Sequence, residues 1–218
     1  MKKQNALLNL GYQAVRDVLI IGKDGCEKEA VAKALAFFPQ AVRRAIRIIK
    51  IWETASLAPC GSAMDWAHFH KDRSICIFVD RANNLGVHYY TELLGCHCGV
   101  ADVCALAIWH EAGHVHSHLS THLNKERWVE IAGGFEAYSD DVSNYREKGF
   151  VTPWSMKNGE EDRAEFIKAV MLFFATAGKI NIFFGVQKVI ALSKLCWLSD
   201  NGFLYPKDRE IIKSVIAS

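Results

Sequence analysis

Two histidines four residues apart enclose a glutamate in the stretch Trp109-His110-Glu111-Ala112-Gly113-His114. On a helix, positions i and i+4 share one face, so His110 and His114 can present ring nitrogens to a single metal ion. Glu111, one position along, can reach a water on that ion and take its proton. The same residues could sit on the wet face of an ordinary helix. The preceding run Ala101 to Trp109 (ADVCALAIW) is apolar, however, and predicts a helix already buried where the histidines begin. Buried polar rings need partners, and one cation satisfies both. The ligand types point to zinc.

A catalytic zinc takes three protein ligands and keeps one position for water. Two carboxylates compete to be the third. Glu136 begins Glu136-Ala137-Tyr138-Ser139-Asp140, which resembles the E-x-x-S-D of thermolysin-like gluzincins, at 136 − 114 = 22 residues past the second histidine. The polar residues that follow, Ser139 to Asn144, make a poor helix interior, so this segment reads better as a turn after Gly133-Gly134. Glu161 is the stronger candidate. It opens a periodic segment with Ile167, Val170, Met171, Phe173 and Phe174 as core positions, behind the predicted N-cap Asn158. A carboxylate there can simply cap its helix, but a helix pinned by large apolar residues holds a ligand better than a polar loop does. Glu165, one turn later, could accept a hydrogen bond from a ligand histidine.

Other residues of similar chemistry are weaker candidates. His116, His118 and His122 read as the solvated end of the motif helix. Cys96-His97-Cys98 with Cys104 lacks the C-x2-C pairs of structural zinc sites and reads as free thiols in a loop and a helix.

The elements that must position these residues follow from the patterning. Residues 3–20 read as an amphipathic helix, and Glu27 to Phe38 as a second one ending before Pro39. Residues 46–52 (IRIIKIW) alternate like a strand, and Ser74 to Val79 forms another, with a loop around Pro59, Cys60 and Gly61 between them. The fold expected is α+β and zincin-like: a small mixed β-sheet packed over the H-E-x-x-H helix, with further helices at both ends. Its edge strand could pair with an extended peptide. With 218 residues, half of them hydrophobic, the chain suits a single domain, its helix-and-sheet part about 1–100 and its metal-binding helical part about 101–218. A formal charge of +2, from 26 basic and 24 acidic residues, gives no sign of nucleic-acid or membrane-surface binding. Lys168, Lys179 and Lys188 interrupt the C-terminal apolar runs, so no membrane span is expected. Seven cysteines and no recognisable secretory signal predict reduced thiols and a cytoplasmic location, with export by a signal-independent route left open.

The pattern H-E-A-G-H, followed 161 − 114 = 47 residues later by E-D-R-A-E after the stretch Gly149 to Ser155, resembles the lethal-factor-like zincin peptidases. The resemblance runs over about residues 74–198, with a closing helix near Val186 to Leu198. It implies His110, His114 and Glu161 as zinc ligands, Glu111 as general base and Glu165 as outer support. Such enzymes carry a tyrosine seven residues ahead of the glutamate ligand, where its hydroxyl steadies the oxyanion. Here that position is Trp154, so either Trp154, Tyr138 or Tyr145 contacts the oxyanion or the substrate instead, or peptidase turnover is weaker than the motif implies.

The function expected is a zinc-dependent metallopeptidase acting on a peptide or protein substrate. One alternative is a non-proteolytic zincin that binds a partner peptide and keeps zinc for structure. Another is a thiol-based redox or metal-sensing protein using Cys96, Cys98 and Cys104.

Overall fold

The computed structural model describes residues 18–22, 24–54, 66–119 and 125–217. By its internal contacts the chain divides into two compact units, Met1–Leu119 and Ser120–Ser218.

The first unit is built on a mixed four-stranded sheet. Its strands are β1 (Leu19–Ile21), β2 (Ile48–Trp52), β3 (Ala67–Phe69) and β4 (Ser74–Phe78), in the order β1-β2-β4-β3. β1 and β2 run parallel, as do β2 and β4, while β3 closes the edge antiparallel to β4. The parallel β1–β2 pair needs a crossover, which α1 (Cys26–Leu35) and α2 (Gln40–Ala45) supply. Every residue of β4 is buried, which is why SICIF reads as an unbroken apolar run rather than an alternation. After β4 the chain turns helical at Val79, passes through a π-helical turn at Ala82–Gly86 and continues as α3 (Val87–Leu94). Gly95, in the left-handed conformation at φ 64°, ends it.

The motif helix is α4, Val100–Leu119. It packs along α1 and also touches β3 and β4. Val103, Cys104, Leu106, Ala107, Ile108 and Trp109 are all buried, as the apolar run before the histidines requires. The indole of Trp109 donates to the carbonyl of Ala34 at 3.0 Å, and Phe37 meets the same ring edge-on. Gly86 lets the π-turn lie directly on α4, because a Cβ there would come within 2.5 Å of Val103 Cγ1.

The second unit contains α5 (Lys125–Ala132), α6 (Gly159–Ala175), α7 (Lys188–Asp200) and α8 (Pro206–Ala217). Short 3₁₀ turns cover Phe135–Ala137 and Pro153–Met156. Every residue of α6 from Asp162 to Phe173 is buried. Trp128 of α5 sits at the centre of the aromatic core, edge-on to both Phe166 and Trp197. The result is an α+β protein with a small mixed sheet.

Several expected boundaries move. Of the helix expected over residues 3–20, residues 3–17 lie outside the description, and its end is strand: Leu19–Ile21 pair with Ile48–Lys50 because three aliphatic residues in a row suit a parallel ladder. The loop around Pro59, Cys60 and Gly61 also lies outside the described residues. The second expected helix ends at Leu35, short of Phe38. The strand of residues 46–52 begins only at Ile48; Ile46 and Arg47 form the short link from the end of α2 at Ala45. β3 went unrecognised, since three residues are too few to show an alternation. The closing helix is shifted two residues, to 188–200.

Candidate functional site

In the first unit, α4 places His110 and His114 on one face, both partly buried. Their Nε2 atoms lie 3.0 Å apart, with the rings 74° from coplanar. Two imidazoles bound to one tetrahedral zinc at about 2.0–2.1 Å would hold their nitrogens about 3.3 Å apart, so this pair is already near ligand spacing. Glu111 is buried, 8 % exposed, in the same turn. Ser117 donates to the carbonyl of Gly113 at 2.7 Å, which ties its hydroxyl into the helix one turn on. His118 is exposed, its ring 5.6 Å from Phe69. The side chain of His116 and all of His122 lie outside the description.

His70, just past β3, was missed in the sequence. Its Nε2 is buried and has no hydrogen-bond partner among the described residues. Burial holds this imidazole below its ordinary pKa, assisted by neighbouring His68 and opposed by Asp72 and by the carboxylate of Glu111. The pattern His68-Phe69-His70 was the available signal, but it gives no hint of proximity to Glu111.

In the second unit, Asn158 caps α6: its Oδ1 accepts from the backbone N–H groups of Glu160 and Glu161, each at 2.9 Å. Glu161 is therefore fixed at the third helical position, as expected, where the helix dipole favours a carboxylate. Its Oε2 accepts a 2.7 Å hydrogen bond from the indole N–H of Trp154. Glu165, buried one turn later, accepts from Thr152 Oγ1 at 2.7 Å and pairs with Lys168.

Asp162 and Lys194 form an ion pair at 2.8 Å, and both side chains are fully buried. Asp162 also accepts from Trp128 Nε1 at 2.8 Å and from the hydroxyl of Tyr138 at 3.3 Å. Lys194 donates to the carbonyl of Gly149 at 3.0 Å. Burial pushes the Asp162 carboxyl up and the Lys194 ammonium down, and their mutual attraction works against both shifts. The Tyr138 hydroxyl is pushed up by burial and by the charge on Asp162. Glu136 sits exposed in the first 3₁₀ turn. Tyr145 packs against the cluster of Ala132, Phe150 and Met156.

Cys96, Cys98 and Cys104 are free thiols, the first two in the loop before α4 and the third within it. Burial raises Cys98 to about 11 and Cys104 to about 12. Among the described residues, they contribute to no group that could hold a metal ion. No known protein family, curated protein or solved structure matches the chain.

Proposed function

We propose that this protein is a zinc-dependent metallopeptidase with a zincin-like arrangement, in which His110, His114 and Glu161 hold the metal. As a donor set these three could hold a metal ion, and two nitrogens with one carboxylate oxygen suit zinc. The observation that carries the reading is the 3.0 Å approach of the two Nε2 atoms with buried Glu111 between them in sequence. A lone pair of neutral imidazoles can also satisfy one another by a hydrogen bond. That leaves unexplained a glutamate kept out of water in the same turn.

When bound, the ion supplies Lewis-acid polarisation of the scissile carbonyl and a water of near-neutral pKa. Glu111 takes the proton of the attacking water and returns it to the leaving amine. Glu165, anchored by Thr152 and Lys168, is the outer support in this reading. Among the described residues β1 and β3 are the sheet edges, against which an extended peptide could add.

The test is elemental analysis of purified protein, then cleavage of casein and a mixed peptide library with and without 1,10-phenanthroline. One zinc per chain and chelator-sensitive cleavage are expected. A folded protein that neither contains nor takes up divalent metal overturns the reading.

A second reading, a zincin that binds a peptide without cutting it, is favoured by one observation. The donors of Trp154 and Tyr138 are both occupied by carboxylates, Glu161 and Asp162. A zinc-loaded protein that binds library peptides but leaves them intact would select it.

A further inference from the structure

We infer that Trp154 is a positioning residue for the metal-binding carboxylate: its indole N–H holds Glu161 Oε2, so that Oε1 is the oxygen directed to the ion. This rests on the reading of Glu161 as a ligand, and it assigns Trp154 a task different from contacting an oxyanion.

The geometry is local and over-determined. The backbone of Glu161 is pinned by Asn158, and its side chain is pinned seven residues upstream by Trp154 at 2.7 Å. Trp154 itself is held at both ends. Its 3₁₀ turn is capped by Thr152, whose hydroxyl forms a reciprocal capping box with Ser155 and also reaches Glu165 on the same helix as Glu161. On the ring side, the Lys157 ammonium lies 4.3 Å from the indole centroid, a cation–π contact that fixes the ring plane. The indole is 49 % exposed, too open for core packing to explain its placement.

The choice of an indole has a chemical meaning. Its N–H donates one hydrogen bond, accepts none and carries no titratable proton. Oε2 is thus occupied by a donor that can neither be lost by ionisation nor replaced by acceptance from a neighbouring N–H. A carboxylate free to turn could bind an ion through both oxygens. Tethering one oxygen disfavours that mode and keeps a coordination position for solvent or substrate.

The experiment compares the parent protein, Trp154→Phe, and a protein carrying benzothienylalanine at position 154, which keeps the shape and replaces the N–H by sulfur. Zinc affinity is read by competition with a chromophoric chelator, and coordination by the visible spectrum of the cobalt(II)-substituted protein. Both altered proteins should bind zinc about 10–100-fold more weakly, the usual effect of removing a partner that orients a ligand. Their cobalt bands should weaken as the site moves from four- toward five-coordinate. If the sulfur isostere matches the parent in both affinity and spectrum, the indole N–H positions nothing and the inference is wrong. Glu161→Ala, run alongside, separates the two levels. Unchanged zinc affinity there removes Glu161 as the ligand, whereas lost affinity there with an unaffected isostere removes only the role of Trp154.

Discussion

Glu111 is the residue on which turnover depends in this reading, and its place in a buried turn beside His110 makes a sharp test available. Glu111→Gln keeps size and polarity but cannot accept the proton. It should bind zinc normally and lose about 10²–10⁴-fold in kcat, measured on any peptide the parent cleaves. The thiols give an independent check. With Cys98 raised to about 11 and Cys104 to about 12, both stay protonated near neutrality. Iodoacetamide at pH 8 should label exposed Cys26 and Cys96 well ahead of them, as peptide mass mapping would reveal. At this scale the sequence was informative where a rule ties residue type to local spacing. The i, i+4 histidines and the Asn158 cap are of that kind. The contact of Trp154 with Glu161 was not legible, because seven residues spanning a 3₁₀ turn and a helix start have no fixed geometry. The neighbourhood of His70 and Glu111 depends on how β3 lies by α4, which no local pattern encodes.

Among the elements, α6 shows how charged residues come to be fully enclosed. Its first turns carry Asp162, Arg163, Glu165 and Lys168, all buried, in a segment whose periodicity suggested only an apolar core. Burying an isolated charge is costly, so each needs a partner: Glu165 pairs with Lys168 on the same helix, and Asp162 with Lys194 of α7. Lys194→Met should destabilise the protein by about 3–5 kcal/mol at pH 7.5 in urea unfolding, because it strands the Asp162 carboxylate. The sign of the pH effect follows. Without the ammonium, burial holds the folded carboxyl further above its unfolded value, so below that raised value the native state binds a proton that the unfolded chain releases. The deficit of the variant should therefore shrink as pH falls from 7.5 toward 5 and return as pH rises. Asn158→Ala should cost about 1 kcal/mol and lower zinc affinity as well, since the cap fixes the backbone of Glu161. Helices α4 and α6 could be read from apolar periodicity and capping. β3, the π-turn and α2 could not, being too short for either signal to rise above chance.

For the whole molecule, zinc binding as proposed would link metal and stability. A ligand bound only by the native state adds RT ln(1 + [L]/Kd), about 2.7 kcal/mol at a hundredfold excess over Kd. For a chain of this size that corresponds to about 5–10 °C in melting temperature. Calorimetry should show this gain with zinc and its loss with EDTA, and Glu161→Ala should abolish most of it. Among the described residues no helix is long and apolar enough to cross a membrane, in keeping with the lysines that break the C-terminal apolar runs. The class of fold was legible from the alternation of helical and strand patterns. The division into two units was not, because contact density between distant segments leaves no trace in composition. The reach of Lys194 limits how far this protein could be trimmed. The ammonium neutralising Asp162 is contributed from near the far end of the chain, and it also grips the carbonyl of Gly149. A version cut ahead of Lys188 would leave a sealed-in negative charge next door to Glu161, so the last thirty or so residues act as a keystone for a carboxylate they never touch in sequence.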